Sequence, residues 1–301
     1  MPPVHSLQKV TAGFRLTKFV VVESLEDHEV KTGQILVKLL EHLVFEHALG
    51  ISVEYWQIES VTEFRELLQE LTAQATEQGH APLLHIEAHG SKTGGLEFSN
   101  GSSIAWEELA TQLRKLNIAS GFNLLAALSA CFGGYLLGEI TALTAAPCWC
   151  VVAPTETVDP AEIMQGFRQF YTHFLAELDA GKAARVLQAI KLSKGEWFSQ
   201  LTQLWFERLV IDYVKTHCTH EEIRVRAKRM YRRAKEEGTP GGVGSFARHL
   251  RKLHRDVLTK QYFDVFFCTE AIPMNVERFA GTRARVERKL AGLKATGLYD
   301  L

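Results

Sequence analysis

One cysteine and one histidine in this chain sit where nucleophilic chemistry needs them. Phe122 to Gly134 reads F-N-L-L-A-A-L-S-A-C-F-G-G, an apolar run that delivers Cys131 and breaks at once into Gly133-Gly134. A run this apolar predicts a strand buried on both faces of a parallel sheet. A thiol at its end lies at the carboxyl edge, where open α/β sheets bind ligands. Cys131 also reads as one more small buried hydrophobe. Forty-two residues upstream (131 − 89) a second apolar run, Pro82-Leu83-Leu84-His85-Ile86-Glu87-Ala88, ends in His89-Gly90. A thiolate is a strong nucleophile that needs a partner to handle protons, and a histidine closing a neighbouring strand at the same edge supplies one. Gly90 leaves its own N–H unobstructed, so that N–H and the N–H of Cys131 can face a developing oxyanion.

The elements that must hold this pair follow from periodicity. Phe19 to Ser24 is a β-branched run and predicts the first strand, followed by an acidic cluster of Glu23, Glu26, Asp27 and Glu29. Helical spacing marks Thr32 to His47 and Val61 to Gln78, with a strand over Ile51 to Ile58 between them. Asn100-Gly101 between Leu96-Glu97-Phe98 and Ile104 predicts a small hairpin beyond the main sheet. Helices follow over Trp106 to Leu116 and from about Gly134 to Thr144. A fifth strand spans Cys148 to Pro154. Asp159-Pro160 opens another helix, with Asp as N-cap and Pro at the first position, and Ala183 to Lys191 makes one more. Strands alternating with helices predict an α/β fold, a mostly parallel sheet with helices on both faces.

After residue 192 the pattern changes to helices alone. Glu196 to Val214 reads as an aromatic helix. Thr219 opens a helix rich in arginine, a glycine-rich break covers Gly238 to Gly244, and a second basic helix follows from Ser245. Tyr262 to Cys268 reads as a late strand or a helix tail, and a charged helix from Glu277 to about Leu293 ends the chain. The expected division is a sheet-containing domain over 1–191 and a helical, basic regulatory or partner-binding region over 192–301.

A strand ending His-Gly, a hairpin, a helix, and a strand ending Ser-Ala-Cys with glycines after it resembles the caspase-like (clan CD) cysteine peptidases. Within these it is most similar to the prokaryotic CHAT-type and metacaspase-like groups. The resemblance covers roughly residues 19–190 and rests on His85-Ile86-Glu87-Ala88-His89-Gly90 with Leu128-Ser129-Ala130-Cys131-Phe132-Gly133-Gly134. It implies a caspase-like fold, Cys131 as nucleophile, His89 as general acid/base, Gly90 and Cys131 as oxyanion donors, and a protein substrate docked as an extended strand. It implies no cofactor and no metal, and a bacterial defence or stress effector, antiviral in kind. Eukaryotic caspases carry Gln-Ala-Cys; Ser129 replaces the glutamine, which argues against an aspartate at P1. In this fold class the primary pocket is walled by the loop after the first strand, the residue two before the cysteine, and the loop after the fifth strand. Here those positions hold Glu26 and Asp27, Ser129, and Glu156 with Asp159. The charges are all negative, so a Lys or Arg at P1 is expected; Asp159 reads first as the N-cap before Pro160, which leaves Glu26, Asp27 or Glu156 to carry the pocket.

Other chemistry-bearing residues carry weaker readings. His85 and Glu87 share a strand face with His89. His85 reads as a satisfied core histidine. Glu87 either orients His89, lines the pocket, or hydrogen-bonds a covering helix. Cys148 and Cys150 read as core. His217-Cys218-Thr219-His220 lacks the second ligand pair that a zinc site needs.

Bulk properties bound these readings. The chain has 301 residues, a net charge of −1 and five cysteines with no disulfide-framework spacing. These features point to a reducing, cytoplasmic setting. No signal peptide or membrane-spanning run is evident. Charge is uneven. Residues 23–80 carry twelve acidic against three basic side chains, and residues 220–260 carry twelve basic against five acidic. The rival to the peptidase is therefore a non-catalytic caspase-like scaffold whose basic helices, Arg224 to Lys235 above all, bind a protein or nucleic-acid partner.

Overall fold

The strand periodicity is realised first around β1 (Lys18–Ser24), which is buried along its whole length. The computed structural model describes residues 14–139, 144–238 and 240–300. Beyond β1, the elements around the sheet are α1 (Thr32–Glu46), β2 (Ser52–Gln57), α2 (Val61–Gln78), β3 (Pro82–Ser91), β4 (Gly95–Glu97), β5 (Ser103–Ile104), α3 (Trp106–Ala119), β6 (Leu125–Ser129), β7 (Cys150–Pro154), α4 (Pro160–Glu177), α5 (Ala180–Ala189) and β8 (Trp197–Leu201). The main sheet runs β2-β1-β3-β6-β7-β8, with β4 and β5 continuing antiparallel from the end of β3. The first five strands pair in parallel, and β8 alone is antiparallel to its neighbour β7.

Strand order reverses at β1: β2 lies on one side of it and β3 on the other. That reversal opens a crevice at the carboxyl ends of β1 and β3, the switch point where open sheets take ligands. Alternation along each strand assigns the two faces. Val20, Val22, Leu84, Ile86, Ala126 and Leu128 pack with the buried side chains of α2 and α3 in one core. On the opposite face, Phe19 meets Tyr171 of α4 edge-on and His85 meets Phe167. Register aligns Glu23 with Glu87 and Glu87 with Ser129. A row of polar side chains therefore crosses the three central strands at their carboxyl ends.

Local signals explain the ends of the helices. Ser60 and Glu63 form a reciprocal capping box at the start of α2, and Gly79 closes that helix in the left-handed conformation at φ 69°. Asp159 accepts from the Ala161 amide at 2.8 Å with Pro160 at the first helical position, the cap that the sequence predicts.

Two expectations change. Glu196 to Val214 does not open as a helix. Trp197–Leu201 is a strand whose Trp197 ring lies where a Cβ on Gly166 of α4 would clash at 2.1 Å. The sheet gains an edge, and the unit that contains it runs to Thr202. The expected helix from Gly134 to Thr144 is a 3₁₀ helix over Gly133–Glu139, and its expected continuation through 140–143 lies outside the described residues.

The second unit, built mainly on Gln203–Leu301, is helical. It comprises α6 (Thr202–His217), α7 (His220–Glu236), α8 (Val243–Asp256), α9 (Tyr262–Phe266), α10 (Asn275–Arg278) and α11 (Ala280–Ala295), with a π-helical turn at Val257–Gln261. The segment from Tyr262 resolves as helix. Glu207 on α6 is clamped by Arg285 and Lys289 of α11, and Phe206 is enclosed by Phe263, Phe266 and Phe267. The molecule is thus a mostly parallel sheet covered on both faces, followed by a helical C-terminal region, the caspase-like α/β architecture. Among the described residues no helix is long and apolar enough to cross a membrane.

Candidate active site

His89 follows the last buried residue of β3, Ala88, and its side chain is 52% exposed. Cys131 lies two residues beyond β6 and is half-buried. The two line one cavity of about 520 Å³ at the carboxyl edge of the sheet, together with Glu29, Thr32, Glu87, Ser129 and the apolar side chains of Leu25, Val30, Val158 and Ile163.

The glycines act by size more than by turning. A Cβ built on Gly90 would sit 2.1 Å from the Cys131 carbonyl oxygen, so only glycine lets β3 pass this close to the cysteine. Gly133 fits between Leu128 and Ala153, each 3.0 Å from such a Cβ, and keeps an ordinary φ. The left-handed residue is Phe132, at φ 59°. The run thus breaks one residue before Gly133-Gly134, where the sequence marks the break. The turn is secured by hydrogen bonds from the Phe132 amide to Glu156 O (3.3 Å) and from the Gly133 amide to Ala130 O (3.1 Å), while the Cys131 amide makes no backbone hydrogen bond among the described residues. Lys92 lies over the Phe132 ring at 5.1 Å and reaches Glu156 at 3.7 Å.

Two carboxylates organise the cavity. Glu29 meets Nε2 of His89 at 3.0 Å and accepts from the Glu26 amide at 2.7 Å. Burial alone would raise the Glu29 pKa, but the Glu26 amide and His89 hold it below the usual carboxylate value. Glu87 is almost fully buried. It accepts from Ser129 Oγ at 2.6 Å and Thr32 Oγ1 at 2.9 Å, and it pairs with His85 Nε2 at 2.8 Å. Tyr171 lies 2.9 Å from the other His85 nitrogen, and burial pushes its phenol well above the usual value. A phenol held protonated donates to His85 Nδ1, which leaves Nε2–H to donate to Glu87. Three donors therefore steady one buried carboxylate in the cavity lining. Glu23, one strand over, accepts from the Gly33 amide at the start of α1 (2.6 Å) and from Tyr55 (2.5 Å). Tyr55 is driven up to about 12 by burial and by Glu23.

Of the residues expected to form the primary pocket, Ser129 lines this cavity. Glu26, Asp27, Glu156 and Asp159 do not. Glu26 approaches His28 at 3.3 Å, Glu156 faces Lys92, and Asp159 serves as the helix cap. Glu29 and Glu87 line it instead; Glu29 was not among the expected pocket residues, whereas lining the pocket was one of the three readings of Glu87. Glu29 stood in the acidic loop after the first strand, one step from the residues chosen. Glu87 stood two residues before His89, with the register to Ser129 unseen. His85 is the satisfied core histidine expected, and Glu87 bonds Thr32 of the covering helix while lining the cavity.

The remaining cysteines differ in kind. Burial pushes Cys150 up to about 12 and Cys148 well above the ordinary thiol value. In the helical unit, Cys218 lies 3.3 Å from Nδ1 of His254. Burial raises Cys218 to about 11, and burial with Arg226 nearby lowers His254 to about 4. Both partners are neutral at pH 7 and shielded from substrate. His220 is bound instead to Asp300 and Gly297 O.

No protein-family sequence model matches the chain, and no curated protein matches it. Among solved structures it is similar to the crystal structure of the Drosophila initiator caspase Dronc, with a TM-score of 0.46 at 12% identity over 66% of this chain and 87% of that one.

Proposed function

We propose that this chain is a cysteine endopeptidase in which Cys131 attacks a peptide carbonyl and His89 moves the proton. The reading is carried by one observation: the thiol and the imidazole line the same cavity at the carboxyl edge of the sheet, and a carboxylate meets Nε2 of that imidazole. Glu29 accepts Nε2–H of neutral His89, which leaves Nδ1 unprotonated. That nitrogen takes the Cys131 proton as sulfur bonds to the carbonyl carbon. The oxyanion is met by the amides of Cys131 and Gly90. His89 then protonates the leaving amine as the C–N bond breaks, and water, deprotonated by His89, releases the acyl group from sulfur. No cofactor enters these steps.

The substrate is a protein segment with Lys or Arg at P1. Apolar walls from Leu25, Val30, Val158 and Ile163 accept the aliphatic stem, and Glu87 and Glu29 face its cationic head. Reduced cysteines favour a cytoplasmic setting, and the helical C-terminal region serves regulation or partner binding. The test is a panel of fluorogenic peptides bearing Arg, Lys, Asp or Asn at P1, read alongside a thiol-reactive peptide probe. Labelling at Cys131 and turnover of Arg or Lys peptides are expected, both lost in Cys131→Ala. Selective turnover after Asp would refute the specificity. A probe that leaves Cys131 untouched would refute the enzyme.

A further inference from the structure

We infer that the hairpin of α7 and α8 is a binding surface for the phosphate backbone of duplex nucleic acid, separate from the peptidase cavity. Its two helices share a small core, Ile223, Ala227 and Leu250 with Met230, Val243 and Phe246 packed against it. Counting around each helix from that core, Arg224, Lys228, Arg232 and Lys235 form one row on α7, and Arg248 and Lys252 form another on α8. The short connection returns α8 against α7 in the antiparallel sense. At about 100° per residue, the α7 row lies on an outward flank of its helix, and Arg248 and Lys252 lie nearly opposite the shared core on α8, so all six belong to the outer surface of the pair. All six side chains are exposed, and none has an ion-pair partner among the described residues.

Ordinary helix stability does not explain this face. The chain pairs opposite charges four apart in Arg208–Asp212, in Arg283–Glu287 and, at the end of α7, in Arg233–Glu237, but the row residues themselves have no such ion pair among the described residues. On α7 the acidic residues are confined to the two ends, Glu221 and Glu222 and then Glu236. Between them Arg224/Lys228, Lys228/Arg232 and Arg229/Arg233 set like charges four apart, an arrangement that weakens an isolated helix. A polyanion laid along the row removes that repulsion. Arg226 is the exception that fits: it turns inward to Tyr213 and His254 and serves the fold.

The chemistry of the face selects the polyanion. A protein partner needs a buried apolar or aromatic anchor. Among the hairpin's described residues the one exposed large hydrophobic is Leu253, which lies off both rows. Stacking on single strands needs exposed aromatics, and the rows carry none. What remains is a set of guanidinium and ammonium groups, which suits phosphate oxygens and reads no base. The α7 row spans about 16 Å, from eleven residues at the helical rise, long enough to follow several phosphates of one strand.

The test uses the full chain and a short fluorescein-labelled DNA duplex, followed by anisotropy across a salt series. The logarithm of affinity should fall linearly with the logarithm of salt, with a slope of about −4 to −5 for four to six phosphate contacts. Scrambling the duplex sequence should change nothing. In the variant Arg224→Gln/Lys228→Gln/Arg232→Gln/Lys235→Gln the slope should shrink by about 3 to 4, while probe labelling of Cys131 stays at the parent level. If that variant fails to fold, Arg248→Gln/Lys252→Gln must still lower the slope by about 2. Absence of duplex binding at low salt, slopes unchanged in these variants, or polyglutamate of matched charge competing as well as the duplex would each overturn the assignment.

Discussion

Glu29 stands 3.0 Å from Nε2 of His89 and 60 residues away in the chain. In the proposed mechanism it accepts Nε2–H and so leaves Nδ1 of His89 to take the thiol proton. Glu29→Gln preserves an acceptor and removes the charge, and Glu29→Ala removes both. We expect kcat to fall roughly 10-fold in the first and 100-fold in the second, with KM little changed, within the range general acid–base groups contribute. A Glu29→Ala enzyme with parent kcat would mean that the contact has no catalytic consequence. Glu29 is held below its ordinary value when folded, so its contribution to stability is present above the unfolded carboxyl pKa and is lost as pH falls through the folded one.

Glu87 predicts a change in specificity. Its carboxylate is fixed by three donors in the cavity lining. Glu87→Gln sets an amide N–H against one of those donors, which should cost about 1–3 kcal/mol of stability. Denaturant unfolding measures that loss. On the peptide panel the variant should raise KM for Arg and Lys substrates much more than it lowers kcat. An unaltered Arg and Lys preference would assign the pocket charge to another residue.

Gly90 predicts a failure of geometry. Even an alanine Cβ would meet the Cys131 carbonyl at 2.1 Å, so Gly90→Ala must displace the turn that carries the nucleophile. Overpacking of this kind costs about 1–3 kcal/mol. Activity should drop further than that loss of stability explains, measured as turnover at a temperature where both proteins are fully folded.

His254 predicts a pH effect in the helical unit. Its folded pKa of about 4 lies below the ordinary histidine value because it is buried, with Arg226 beside it. A histidine depressed in this way favours the folded state above its unfolded pKa, near 6.5, and loses that advantage as pH falls from there towards 4. Unfolding of this unit followed from pH 7.5 to 4.5 should show the decline, and His254→Phe should flatten it. Native-state alkylation should spare Cys218, whose thiol is raised to about 11. Rapid alkylation of Cys218 would identify a second reactive cysteine.

The strands, and the placing of His89 and Cys131 at one edge of the sheet, were legible because they depend on local pattern. The runs ending at Ala88 and Ser129 are apolar on both faces, and period and punctuation place His89 and Cys131 at one edge. The pocket was not legible, since it depends on cross-strand register and loop path. Ser129 reaches Glu87 because β3 and β6 align those two positions, and nothing within either strand states that alignment. The acidic loop after β1 was recognised as a wall, but which of its carboxylates turns inward is decided by the Glu26 amide and His89. β8 was read as helix because Trp197 and Phe198 adjoin a helical run; what makes them a strand is the open edge of β7 and the room Gly166 leaves for the Trp197 ring.

Phe132 follows the nucleophile in a backbone conformation natural to glycine, which costs on the order of 1–3 kcal/mol. Its ring lies beneath Lys92 and edge-on to Tyr135, contacts that a glycine would forfeit. A backbone cost is thus set against two ring contacts at a single position. Glycine or asparagine there relieves the one and gives up the other, so the sign of its effect on melting temperature reads which is larger.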